Sequence, residues 1–195
     1  IIQNHPPVIE TFRDTVIYEN QPLNALVQVT DPDDDSLSVR MEGLPQEAGL
    51  ARAEEGWYLQ WTPTFDDSGE YTVRIVAEDA PGDSAVWNAA LQVLNVNRVP
   101  MILTAEPGDT SLTAQYGVEL SFGVNAFDAD GDTLQYRWTV NGEVRTGDQT
   151  FSFVPDSEGP SQVTVRVEID DGNDTVVRTW ELTLNPVAVE LSSFQ

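Results

Sequence analysis

The sequence has no cysteine and no lysine; its nine basic residues are all arginine, set against 33 aspartates and glutamates, and it holds a single histidine. Without cysteine there are no disulfides, thiolate metal sites or cysteine nucleophiles. Without lysine there is no amine nucleophile, and the lone His5, followed by two prolines, offers no core-supported Ser-His arrangement. Long hydrophobic runs are missing too: none approaches the roughly 20 residues that a membrane helix needs. A net charge of −24 repels phosphate backbones and anionic lipid, which argues against nucleic-acid partners and membrane insertion. Acidity accompanied by a complete lack of lysine fits a high-salt habitat, because cation binding gives no reason to remove lysines elsewhere. Ile1–Asn4 carries neither an initiator Met nor a signal peptide, so the expectation is an excised piece of a longer polypeptide.

What is present is a repeat. DPDDDSLSVR at 31–40 is echoed by DADGDTLQYR at 128–137, each with three aspartates at alternate positions. Asn4 and Asn97 open matching Pro-containing segments 93 positions apart, and the Thr-Val-Arg triplets at 72–74 and 164–166 lie 92 apart. A fixed period of this size means tandem modules. The boundaries expected are 1–96, 97–186, and a tail at 187–195 that starts a further module. Each half, of about 95 residues, is large enough to bury a core without staples.

Within each half the hydrophobic period is two. Residues 25–30, 71–77, 120–126, 134–140 and 163–169 alternate as half-buried strands. Between them lie turn pairs rich in Gly, Pro, Asp and Asn, including Asn141-Gly142, a strong two-residue hairpin signal. Short strands at this spacing predict an all-β chain of two tandem immunoglobulin-like antiparallel β-sandwiches with Greek-key connections and about seven strands each. Trp57, Leu59 and Trp61 share one strand face; that spacing reads as core rather than as a sugar-binding platform, as it does for Trp87 and Trp180.

Several stretches resemble bacterial surface repeats. YENQP at 18–22, VTDPD at 29–33, WTPT at 61–64, GEYTV at 69–73 and NVN at 95–97 are similar to dystroglycan-type cadherin-like repeats. FDADGDTLQYRW at 127–138 followed by VEIDDG at 167–172 looks like the polycystic-kidney-disease repeat. Residues 67–71 resemble the tyrosine-corner segment of immunoglobulin sandwiches, with Val73 where those domains carry a cysteine, and Trp138 stands where a large core aromatic is expected. The cadherin resemblance implies calcium at a junction, held by Glu19, Asp66 or Asp67, Asn95, Asn97, Asp128, Asp130 and Asp171. It implies a half site at Asp31, Asp33 and Asp79, completed by a preceding domain. Arg98 departs from the pattern, standing where that linker has Asp.

The acidic loops do not fit an EF-hand. In the second copy Gly131 is fourth rather than sixth and Thr139 twelfth; in the first, Glu42 is twelfth but Ser36 takes the glycine position. The competing reading is an acidic turn whose side chains cap their own backbone amides. Neither a Gly-rich phosphate loop nor a carboxylate pair in a shared cleft is indicated. The functional expectation is a non-catalytic, monomeric spacer or adhesive segment of a large secreted or surface-attached bacterial protein, with neighbouring domains of its own polypeptide and a cell-surface protein or polysaccharide as partners. The alternative is a carbohydrate- or ligand-binding accessory module of a secreted enzyme, which would require exposed Trp57 and Trp61.

Overall fold

The computed structural model describes residues 3–186, and the tail expected at 187–195 lies outside them. The chain divides into two compact units, 1–96 and 97–195. Among the described residues there are sixteen strands and no helix. The first unit contains β1 (Val8–Glu10), β2 (Thr15–Tyr18), β3 (Leu23–Thr30), β4 (Leu37–Glu42), β5 (Gly49–Ala53), β6 (Gly56–Trp61), β7 (Gly69–Asp79) and β8 (Ser84–Leu94). The second contains β9 (Met101–Glu106), β10 (Ser111–Gln115), β11 (Leu120–Phe127), β12 (Gln135–Val140), β13 (Glu143–Arg145), β14 (Thr150–Phe153), β15 (Gln162–Asp170) and β16 (Thr175–Asn185).

Each unit is a two-sheet sandwich, ordered β1-β3-β6-β5 over β2-β8-β7-β4 in the first and β14-β11-β9 over β10-β16-β15-β12-β13 in the second. The sandwiches are not purely antiparallel. The opening strand of each unit crosses from one sheet to the other, so β2 runs parallel to β8 and β10 parallel to β16. This split raises the strand number to eight per unit.

The units differ in the fifth strand. In the second, Asn141 and Gly142 take positive φ (49° and 84°) and Val140 pairs with Glu143, the geometry of a primed two-residue turn. That turn holds β13 beside β12. In the first unit Gly43, also at positive φ, opens a longer Leu44–Ala48 connection, and β5 joins β6 in the opposite sheet.

Alternation along the strands fills the cores. In the first unit Val27, Leu59, Trp61, Val73, Ile75 and Leu91 are buried together; in the second Phe122, Trp138, Val165, Ile169, Trp180 and Leu182 are. Trp57 is also buried, so the aromatic face of β6 is core. The Tyr71 hydroxyl donates to the Asp67 carbonyl at 2.8 Å, closing the tyrosine corner. Trp138 stacks on Trp180, with ring centroids 5.9 Å apart.

Candidate functional site

The aspartate clusters sit at the pole where each unit begins, in the loops that follow β3 and β11. In the first unit the Asp31 Oδ1 accepts from the backbone N–H groups of Asp33 (2.8 Å) and Asp35 (3.2 Å). In the second the Asp128 Oδ1 accepts from Asp130 (2.9 Å) and Asp132 (3.1 Å). Short acidic side chains satisfy the turn's own amides, so part of each cluster is structural, as the capping reading expects. The other oxygen is different. Asp31 Oδ2 and Asp128 Oδ2 are both buried with no hydrogen-bond partner, and Asp128 is only 6% exposed. A polar oxygen held out of water without a donor is costly.

The segment that opens each unit is fastened to the same pole. Asn4 Nδ2 bridges the carboxylates of Asp79 (2.9 Å) and Asp83 (2.8 Å), and Asn97 Nδ2 bridges Asp171 (3.1 Å) and Asp174 (2.9 Å). Asp79 and Asp171 are buried and each also caps the turn that follows its strand: Asp79 Oδ1 accepts from Gly82 and Asp83, Asp171 Oδ1 from Asn173 and Asp174. The next residue then binds the aspartate loop. The His5 N–H donates to Asp33 Oδ2 at 2.8 Å, and the Arg98 N–H donates to Asp130 Oδ2 at 2.6 Å.

Electrostatics follow from these contacts. Burial pushes the Asp79 carboxyl up, but the donors Asn4, Gly82 and Asp83 outweigh it and leave the group below the usual carboxylate range. Asp171 is lowered by the Asp174 N–H against the opposing effect of burial, with help from Asn173 and Asn97. Asp130 is lowered first by the Arg98 N–H and, despite burial, by its guanidinium. Asp35 moves the other way, raised by desolvation and then by its neighbours Asp31, Asp79 and Asp33.

Of the residues implicated by sequence, Asp31, Asp33 and Asp79 share the first unit's opening pole, and Asn97, Asp128, Asp130 and Asp171 share the second's. In each aspartate triad one carboxylate oxygen per residue lies within 4.8 Å of the others. Glu19 is buried and accepts from Ser68 N–H (3.0 Å) and Val96 N–H (2.8 Å), pinning the last residues of the first unit. Asp67 caps Thr64 through both its N–H and hydroxyl, while Asp66 and Asn95 are exposed. Sequence reasoning passed over Asn4, His5, Asp83 and Asp174. The signal was available: Asn4 aligns with Asn97, and an aspartate follows Asp79 by four positions and Asp171 by three.

The sequence profile described as "Bacterial Ig domain" matches residues 4–91 and 97–183. Among solved structures, the titin domains Z1Z2 in complex with telethonin are 14% identical, covering 96% of this chain and 100% of that one with a TM-score of 0.46. The fibronectin(III)-like modules of Clostridium thermocellum CbhA are 14% identical, covering 97% and 99% with a TM-score of 0.41. An endo-fucoidan hydrolase of glycoside hydrolase family 107 is 14% identical with a TM-score of 0.43, covering 94% of this chain and 29% of that one.

Proposed function

The chain belongs to the bacterial Ig domain family, in two tandem copies, and on that premise we propose that it is a non-catalytic spacer or adhesive segment of a larger extracellular or surface-attached protein. One observation carries the reading: the fastening of the opening segment to the pole recurs in both units, bond for bond. Asn4 and Asn97 each bridge two carboxylates, and the following backbone N–H clamps the aspartate loop. Pulling on the chain would load these charge-assisted bonds before the core, and such bonds are about twice as strong as neutral ones. A stalk benefits from that placement.

The same poles suit a hard cation such as calcium. Their candidate ligands are all carboxylate oxygens, one from each aspartate of a triad lies within 4.8 Å of the other two, and one buried oxygen per triad has no hydrogen-bond partner. When bound, the ion would cross-link the loop and neutralise its charge. The accessory-module alternative is not favoured, because Trp57 and Trp61 lie in the core and present no platform.

Single-molecule pulling of the tandem, with calcium and with chelator, tests the proposal. Two discrete unfolding events are expected, one of them weakened by Asn97→Ala. Events whose force ignores that change would rule out the mechanical reading.

A further inference from the structure

Resting on the adhesive half of the reading above, we propose that the outer face of β5, β6 and β3 binds a neutral polysaccharide, in a groove built around Tyr58. Trp57, Leu59 and Trp61 are buried in the core, so alternation turns Tyr58 and Gln60 of β6 outward. On β3 it does the same for Asn24, Leu26 and Gln28, between the buried Val27 and Val29. In register, Gln60 lies between Asn24 and Gly49, and Tyr58 between Leu26 and Ala51. Among the outward residues of this four-stranded sheet only Glu10, on β1 beside Gln28, is charged. Arg52 turns the other way, over the Trp57 ring. The opposite sheet carries Arg40, Glu42, Arg74 and Glu78 as ion pairs on its outer face. A chain of net charge −24 thus keeps one broad face of its first unit almost free of charge.

The Tyr58 hydroxyl donates to the Glu55 carboxylate at 3.1 Å, which ties the far end of the ring back toward the β5–β6 turn. A ring held so offers an apolar surface to the C–H face of a pyranose. On one side Ala51 and Gly49 leave the sheet low, and a Cβ added at Gly49 would meet nothing within 4 Å. The amides of Asn24 and Gln60 each donate and accept, as sugar hydroxyls do, and neither makes a side-chain hydrogen bond among the described residues. These two border a depression of about 490 Å³ together with Glu47 and Thr62, a volume in the range of small-ligand sites. Glu47 adds a carboxylate acceptor there; with Glu10 and Glu55 it repels an anionic polymer, so the occupant is uncharged. The second unit has no equivalent. Through the β11–β14 register, Thr150 and Ser152 stand where Tyr58 and Gln60 do, and β14 is an edge strand among the described residues.

Calorimetric titration of the full chain decides this, with neutral hexasaccharides of glucan, mannan, xylan, galactan and chitin type as probes and hexagalacturonate as the anionic comparison. One site per chain is expected for at least one neutral probe, and none for hexagalacturonate. Tyr58→Ala should weaken binding roughly 10-fold or more, the scale of an anchoring aromatic, while Tyr58→Phe keeps most of the affinity. Ala51→Glu fills and charges the groove at an exposed position and should abolish binding. Tyr18→Ala, at an exposed tyrosine on the other sheet, should change nothing. Circular dichroism confirms that each variant is folded. No binding of any neutral probe, equal binding of hexagalacturonate, or binding indifferent to both Tyr58→Ala and Ala51→Glu overturns the proposal. So does concentration-dependent dimerisation in sedimentation that Ala51→Glu abolishes, which gives the face to a second copy. The mechanical reading stands or falls separately, on the pulling of Asn97→Ala.

Discussion

Trp138 is fully buried against Phe151 and Trp180, and its Nε1 donates to the Asp148 carbonyl at 2.8 Å. Trp138→Ala empties an aromatic-sized volume and orphans that carbonyl, so a loss of about 3–5 kcal/mol is expected in denaturant unfolding of the second unit. Tyr71→Phe removes only the corner hydrogen bond to Asp67, with an expected cost of about 1 kcal/mol in the first unit. Asp34 shows the converse. It sits at φ +63° where the second copy has Gly131 at +80°. A residue with a Cβ is strained there, so Asp34→Gly should raise the first unit's stability by up to roughly 1 kcal/mol, read as a higher melting temperature.

At the scale of the loops, the carboxylates at each pole fall into two electrostatic kinds with opposite pH behaviour. Asp79, Asp130 and Asp171 are held below their ordinary value of 3.8 by their donors. Their stabilisation is complete above that value and is lost as pH falls through the lower folded values. The poles should therefore loosen only in strong acid, and melting curves from neutral pH downward should show the steepest loss below about pH 4. Asp130→Asn should remove part of that acid dependence and lower stability at neutral pH. Asp35 is raised by burial and by three neighbouring aspartates, so its ionisation costs stability at neutral pH. Asp35→Asn should raise the melting temperature at pH 7 and leave it nearly unchanged in acid; a fall at pH 7 would contradict the assignment.

Across the whole molecule a charge of −24 is tolerated with nine arginines as the basic residues. Several of these form ion pairs on the outer sheet faces, some along one strand and some across to its neighbour. Arg40 and Arg74 pair with Glu42 in the first unit, and Arg137 and Arg166 with Glu168 in the second. A planar fork can grip a carboxylate at two points where an ammonium acts as a point charge, which suits arginine to this use. The remaining acidity repels itself. Monovalent salt should raise the melting temperature steadily from about 0.1 M into the molar range as screening shortens. A melting temperature indifferent to salt would remove the habitat explanation for the acidic surface.

Much of this was legible in the residues themselves. Period-two alternation placed β3, β7, β11, β12 and β15, because a strand half in water must alternate. The repeated aspartate segment implied duplicated modules, and Asn141-Gly142 dictated a hairpin, because those residues accept positive φ at little cost. The strand-switching of each opening segment, with its parallel pairing, was not legible, since nothing local tells a short strand which sheet edge will receive it. Nor did the aspartates reveal which of their oxygens cap the turn and which is left without a donor. The sequence by itself determined two immunoglobulin-like sandwiches with acidic poles; only the tertiary structure decided that Asn4 and Asn97 tie those poles shut and that Arg98 covers Asp130 where His5 merely leans on Asp33. Those partners are 28 to 79 positions apart in the chain, and no local propensity brings them together; packing of the two sheets does.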